Sequence, residues 1–381
     1  MIKIGITGQS GFVGTHLYNT LGIHSEQFER IPFEDSYFQD ETTLKNFILK
    51  CDVIIHLAAV NRHVDSNILY NTNIELVNML ISACEQSGSK PHIIFSSSIQ
   101  EESNSLYGNS KKDGRALLEK WAIKNMAKLT SLIIPNVFGP FGNPNYNSVV
   151  ATFCHQLSHN LKPQINNDSK LNLIYVGDLV MFIINFLINQ RRNLNHNSIK
   201  ESQIIKIPHT SEISVSTLLK KLNSIKEEYF NHHIVPNLNN PLDLNLFNTF
   251  LCYIDLSTFF PVKLKMNNDI RGSFVEIIKL NSGGQVSFSS TSHNCTRGNH
   301  YHTRKTERFA IIKGNAKIEL RRIGTEKIIT FEFDSKEPSF VDIPIWHTHN
   351  ITNIGKEDLY TIFWINEFYN VNDPDTFYET V

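Results

Sequence analysis

The chain has 381 residues, long enough for two domains with their own cores. Its 36 Lys plus Arg nearly balance its 37 Asp plus Glu, so no overall field draws it to nucleic acid or to an acidic membrane. Five scattered cysteines, never in a Cys-x-x-Cys pair, read as reduced thiols in a cytoplasmic protein and exclude a disulfide framework.

The N-terminus opens on a strand-like run, Lys3 to Thr7, which leaves no room for a signal peptide. Gly8-Gln-Ser-Gly11-Phe-Val-Gly14 follows, then a helical pattern from Thr15 to Leu21. Strand, glycine-rich turn and helix form the context in which a glycine fingerprint binds a dinucleotide. Gly8 permits the tight turn, Gly11 lets a pyrophosphate approach backbone N–H groups, and Gly14 allows close helix–strand packing. The spacing is G-x-x-G-x-x-G, not the G-x-G-x-x-G of simple dehydrogenases.

A second strand, Gln27 to Ile31, carries Glu29 and Arg30 near its end. An acid there would hold a ribose 2′-OH, whereas a base would accept a 2′-phosphate; Arg30 points the expectation to NADPH. Asp52 to Ala59 and Pro91 to Ser98 are buried parallel strands; the first ends in small residues, the second in three hydroxyls. Ligands of doubly wound sheets bind at such strand ends. Strand and helix signals alternate throughout this half, predicting a Rossmann-like parallel sheet with helices on both faces.

Tyr107-Gly-Asn-Ser-Lys111 opens a helical stretch reaching Ala127. At i and i+4 the phenol and the ammonium share a face. A nearby cation lowers a tyrosine pKa, which would make Tyr107 a usable proton donor and acceptor, with Ser98 bonding the substrate oxygen. The apolar run Leu179 to Ile188 is too short to span a bilayer. Between Arg191 and Asn248 the composition turns polar and Asn-rich, with Pro236 and Pro241 breaking the pattern. A boundary is placed there, giving domains 1–245 and 246–381.

From Phe260 to Trp364 come short runs rich in Val, Ile, Phe and Thr, separated by Gly and Asn turns. Their even spacing predicts an all-β barrel or jelly roll. Within it, an extended His300-Tyr-His302 would put two imidazoles on one face, about 6–7 Å apart. Glu307 would return on the neighbouring strand. Two His and a carboxylate suit a divalent transition metal, and the segment Asp342 to Asn350 offers His347 and His349 as a third imidazole.

Thr7-Gly8-x-x-Gly11-Phe12-x-Gly14, His56 to Ala59, Ser96 to Ser98, Tyr107-x-x-x-Lys111 and Pro135 to Gly139 together resemble an extended short-chain dehydrogenase/reductase. The resemblance covers roughly residues 1–240 and implies a nucleotide-sugar substrate. It implies Ser98, Tyr107 and Lys111 as catalytic residues. It gives cofactor contacts to Gly8, Ser10, Gly11, Phe12, Val13, Gly14, Arg30, Leu57, Ala58 and Asn73, with Tyr107 and Lys111. Substrate contacts fall to Asn136, Asn145, Asn147 and Ser148. Ile99-Gln100 stands where the sugar-nucleotide dehydratases of this family carry Asp-Glu, so ketone reduction fits better than dehydration.

The second half resembles the two cupin motifs, His300-x-His302 with Glu307 and Gly314, then Pro344 with His349 and Asn353. That resemblance implies His300, His302, Glu307 and His349 as metal ligands, with His347 as the alternative to His349. Trp346 stands where the second motif has glycine, so the turn must differ or be strained. A reductase fused to a cupin, with Asn145 to Ser148, Arg271 to Phe274 and Asp373 to Thr376, resembles a family of bifunctional capsular polysaccharide enzymes. Membership implies the synthesis of UDP-N-acetyl-L-fucosamine. A UDP-4-keto-6-deoxy-N-acetylhexosamine would be epimerised at C3 in the cupin and reduced at C4 with NADPH. It also implies zinc and a homodimer. The alternative is a single-function reductase whose cupin only dimerises.

Overall fold

The computed structural model describes residues 1–192, 202–334 and 336–381. Part of the Asn-rich stretch, residues 193–201, lies outside the described residues. By compactness the chain forms two units: Met1–Thr152 with Asn167–Val215, and Phe153–Asn166 with Ser216–Val381. The sequence boundary after residue 245 falls inside the helix Pro241–Leu251, and packing groups residues 216–245 with residues 246–381.

The strands of the first unit are β1 (Ile2–Thr7), β2 (Phe28–Ile31), β3 (Val53–His56), β4 (His92–Ser98), β5 (Leu129–Ile134), β6 (Asn136–Phe138), β7 (Lys170–Tyr175), β8 (Ser202–Lys206) and β9 (Ser211–Ser214). Its helices are α1 (Phe12–Ile23), α2 (Glu41–Ile48), α3 (Ser66–Ser87) and α4 (Leu106–Asn125), then α5 (Val149–Ser158), which runs on into the second unit's residues, and α6 (Val176–Arg192). A Rossmann-like parallel sheet runs in the order β2-β1-β3-β4-β5-β8. Every residue of β3 is buried, as a strand covered on both faces requires. Leu44, Phe47, Leu80, Cys84, Leu118 and Trp121 of α2, α3 and α4 share one core with Ile54, Ile93 and Phe95 of the sheet. Helices α1 and α6 pack on each other.

The chain runs outward from β1 to β2 and returns on the other side at β3. The strand order thus reverses between β1 and β3, which is where such sheets open a ligand crevice.

The helices of the second unit are α7 (Val215–Ile225), α8 (Pro241–Leu251) and α9 (Leu256–Phe259). Short strands come first: β10 (Ile234–Val235), β11 (Val262–Lys263), β12 (Met266–Asp269), β13 (Gly272–Val275) and β14 (Lys279–Leu280). Longer ones come next: β15 (Gln285–Thr291), β16 (Thr296–Tyr301), β17 (Glu307–Lys313), β18 (Ala316–Arg322) and β19 (Ile328–Phe333). The last are β20 (Ser339–Ile343), β21 (His347–Asn353), β22 (Leu359–Ile365) and β23 (Phe377–Tyr378). They build two five-stranded antiparallel sheets, β11-β20-β17-β22-β15 and β19-β18-β21-β16-β23. Phe309, Ile311 and Phe340 of the first sheet and Ile318, Phe331 and Ile351 of the second belong to one hydrophobic cluster.

A buried ion pair ties the first of these sheets together. Arg308 Nε and Nη2 donate to both oxygens of Asp342 at 2.7 and 2.8 Å, and the Tyr229 hydroxyl donates to the same carboxylate at 2.6 Å. Removing one partner of such a pair strands the other charge out of water. Asp342→Ala is expected to destabilise the second unit by about 3–5 kcal/mol, and Tyr229→Phe by about 1–2 kcal/mol. Urea unfolding followed through the tryptophans of that unit, Trp346 and Trp364, would check both.

Candidate active site and metal centre

The glycine turn lies between β1 and α1. Gly8 has φ +73°, and a Cβ on Gly14 would meet the Gly8 carbonyl oxygen at 2.1 Å, so the helix sits directly on the turn. No side chain caps the N-terminus of α1 at Gly11, which leaves its N–H groups for an anion. Leu57 N donates to Thr7 O at 3.1 Å, which sets the Leu57–Ala58 backbone against Gly8. Asn73, buried in α3, accepts from Val60 N at 2.7 Å and donates to Val60 O at 3.1 Å, pinning the chain that leaves β3. The Ser10 hydroxyl donates to Asp35 at 2.9 Å, and Phe33 N donates to Gln9 Oε1 at 3.1 Å, so the chain beyond β2 meets the turn through a carboxylate and a backbone N–H.

Arg30 is placed elsewhere. Its guanidinium donates to Tyr18 O at 3.1 Å, lies 4.4 Å from the centre of the Tyr18 ring and packs on Gly22, along the body of α1. The structure does not bring it to the glycine turn.

Ser98, Tyr107 and Lys111 arise from one local arrangement. The Ser98 hydroxyl accepts from Gln100 N at 3.1 Å, capping the short 3-10 turn Ile99–Glu102 that ends β4. A Cβ on Gly108 would meet Gln100 O at 2.0 Å, so only glycine lets the start of α4 lie on that turn, with Tyr107 beside it. Lys111, buried, donates to Ser96 O at 3.0 Å, and its ammonium lies 5.9 Å from the Tyr107 ring centre. The expected lowering of the Tyr107 pKa is not found. Burial, with the neighbouring Tyr146, pushes the phenol up to about 12, because a phenolate taken out of water is disfavoured. Lys111 is itself pushed down to about 8 by burial, which the Glu101 carboxylate partly opposes.

The segment Pro144 to Ser148 is fixed by residues that the sequence did not single out. Arg62 donates to the carbonyls of Asn145 and Tyr146 at 3.2 and 3.1 Å, and Asn61 N donates to the Tyr146 hydroxyl at 3.0 Å. Asn145 takes φ +59°, and the Ser148 hydroxyl accepts from Ala151 N in the first turn of α5. Asn147 is exposed, and Asn136 opens β6 half-buried. No motif marks Asn61 or Arg62; their proximity follows from the return of the chain at β3.

In the second unit His300, His302, Glu307 and His349 converge, their ligand atoms all within 4.8 Å of one another. Glu307 Oε2 lies 3.9, 3.2 and 2.9 Å from Nε2 of His300, His302 and His349. His349 faces this cluster; His347 instead directs Nδ1 to Ile345 O at 3.0 Å. Two local expectations need correction. Glu307 does not return on the neighbouring strand: β16 pairs with β21 and β23, while Glu307 opens β17 in the other sheet, because residues 302–306 cross between the sheets. His302 lies just beyond the end of β16, not within it.

A bulge at Gly298–Asn299, with φ +103° and +58°, sets His300 opposite His349. Trp346 takes φ +60°, the strain anticipated for this turn. It is held by its N–H to His302 O at 2.7 Å and by stacking on Tyr301 at 5.7 Å. Lys305 Nζ, in the connection 302–306, donates to Pro374 O.

The cluster fits a metal ion. His302 Nε2, Glu307 Oε2 and His349 Nε2 are buried without a hydrogen-bond partner. Ligands about 2.1 Å from one ion stand roughly 3.4 Å apart in a tetrahedron, close to the spacing present. Burial works against the Glu307 carboxylate, yet the three imidazoles hold it well below the usual range.

Both halves of the chain resemble known proteins. A model described as the NAD dependent epimerase/dehydratase family matches residues 4–199, and one described as a polysaccharide biosynthesis C-terminal domain matches residues 267–377. The chain belongs to the NAD dependent epimerase/dehydratase family. It is similar to the UDP-2-acetamido-2,6-beta-L-arabino-hexul-4-ose reductase of Pseudomonas aeruginosa, with 32% identity over 99% of this chain and 98% of that one. The structure of the capsular polysaccharide assembling protein CapF from Staphylococcus aureus matches all of both chains at 33% identity and TM-score 0.60. RMD from Pseudomonas aeruginosa, solved with NADPH, shares the fold at 19% identity and TM-score 0.51 over 60% of this chain and 83% of that one.

Because Arg30 is held on α1, Arg30→Ala is expected to change the KM for NADPH by no more than about twofold. Initial rates at varied cofactor would measure it.

Proposed function

We propose that the chain is a bifunctional nucleotide-sugar enzyme of the UDP-N-acetyl-L-fucosamine route to capsular polysaccharide. Residues 1–245 would form an NADPH-dependent reductase and residues 246–381 a cupin epimerase, acting as a cytoplasmic homodimer. The substrate is a UDP-4-keto-6-deoxy-N-acetylhexosamine, epimerised at C3 and then reduced at C4 to a UDP-N-acetyl-6-deoxytalosamine. One observation carries this: a Ser98–Tyr107–Lys111 centre and a His3Glu cluster occur in one chain that matches a hexul-4-ose reductase over 99% of its length.

For the reductase, hydride arrives at C4 as Tyr107 gives its proton to the C4 oxygen. A phenol at about 12 is fully protonated at neutral pH, as a donor must be. The Lys111 ammonium stabilises the phenolate as it forms, and the Ser98 hydroxyl orients the ketone. The turn at Gly8–Gly11 and the N-terminus of α1 would hold the cofactor pyrophosphate. Arg62 shapes the Asn145–Ser148 segment that would meet the UDP group.

For the epimerase, the proton at C3 is acidified by the adjacent C4 carbonyl, and its removal and return on opposite faces invert the centre. His300, His302, Glu307 and His349 would hold zinc, which when bound supplies Lewis acidity toward that carbonyl.

Incubating the 4-keto sugar nucleotide in D₂O without NADPH should introduce deuterium at C3 with the intact protein and not with His300→Ala. Exchange with neither would leave only the reductase. Tyr107→Phe is expected to lower kcat by about 10²–10⁴-fold, with C3 exchange unchanged. Since Lys111 sits at about 8, its ammonium is present below that pH and lost above it. Reductase kcat/KM should therefore fall as pH rises through about 8, and Glu101→Gln should move that limb lower.

A further inference from the structure

The segment that carries the second and third candidate ligands is folded around a residue far away in sequence. Asp375, near the C-terminus, is 3% exposed and has φ +42°, a conformation costly for a non-glycine residue. One carboxylate oxygen accepts from Thr303 N at 3.1 Å and from the Thr303 hydroxyl at 2.6 Å. The other accepts from Arg304 N at 3.0 Å and Lys305 N at 3.1 Å. Three successive N–H groups closed on one anion form a nest, here occupied by a side chain of the same protein. The backbone carbonyl of Asp375 meets His302 Nδ1 at 2.5 Å.

That last contact decides the chemistry of His302. A carbonyl can only accept, so Nδ1 carries a proton, and the nitrogen left to give its lone pair to a metal is Nε2, 3.2 Å from Glu307 Oε2. An imidazole that binds a metal through one nitrogen is fixed in angle and tautomer by what its other nitrogen touches. The carboxylate and carbonyl of one residue thus govern His302 and the loop leading to Glu307.

We infer that Asp375 is the positioning residue of the metal centre: it touches no ion itself, but holds the ligand loop and locks His302 in its metal-binding tautomer. The inference rests on the zinc site proposed above. Asp373, which pairs with Arg304 of the same loop at 2.8 Å, does not touch His302 and serves as a control.

The test uses the full-length protein, with zinc affinity measured by competition against a chromophoric chelator and folding checked by circular dichroism. Asp375→Ala should weaken zinc binding by about 10–100-fold. Asp375→Asn, which keeps an acceptor oxygen in a side chain of the same shape, should give a smaller loss, and Asp373→Asn should bind as the wild type does. Nitrogen-15 NMR of the zinc-loaded protein should show His302 protonated at Nδ1 and this signal broadened or shifted in Asp375→Asn. A purely structural role would lower the unfolding midpoint while leaving both the affinity of the folded protein and the tautomer unchanged. Wild-type affinity in both Asp375 variants overturns the inference, and if the alanine variant does not fold, the asparagine variant decides. Failure of the wild type to bind zinc would instead strike the underlying site, whatever the variants do.

Discussion

A carboxylate withdrawn from water must be compensated on the spot, and Glu307 is compensated by three imidazoles. That requirement organises the second unit. Two imidazoles come from β16 and β21 on one sheet and the third from the connection that crosses between the sheets, while the carboxylate comes from β17 on the other. The cluster is therefore a polar junction between sheets whose remaining contact is hydrophobic, with Phe309 lying 5.4 Å from the His349 ring. Without an ion the three nitrogens would hold a lone anion among them, and with one they would become ligands. Either way the positions of the strands are coupled to the chemistry.

The first unit meets a different constraint, closeness of backbones. Two of its helices start on top of the turns that precede them, at Gly14 and at Gly108, and the second contact sets Tyr107 beside the turn that Ser98 caps. Packing this tight buries Tyr107 and Lys111 and shifts both away from charge. Both groups are tuned by desolvation first.

The sequence made legible what depends on local pattern. The runs Val53–His56 and His92–Ser98 are apolar enough to announce buried parallel strands, and the glycine spacing after β1 places the turn. Less legible was anything that depends on pairing. Strand β16, Thr-Arg-Gly-Asn-His-Tyr, has no apolar signature and is defined by its ladder with β21. Arg30 stands at a strand end, where a cofactor phosphate would be met, but an aromatic ring and a carbonyl on α1 are the partners that hold it. Asn61 and Arg62 belong to no motif, and the contacts of Asp375, within the segment Asp373 to Thr376, could not be read because its partners lie 70 to 73 residues away.

The bulge at Gly298–Asn299 carries a further implication. Between Gly298 and His300 the strand β16 advances two residues while β21 advances one, from Asn350 to His349. Side chains alternate between faces, so the extra residue reverses parity, and His300 turns inward with His349 and Ile351 instead of outward with Thr296 and Thr352. The four candidate ligand residues are thus not sufficient by themselves to form the cluster. A chain with every ligand present and one residue fewer before His300 would keep its motif and lose its centre. Whether a relative of this protein holds a metal is consequently a question of odd and even as much as of histidine and glutamate.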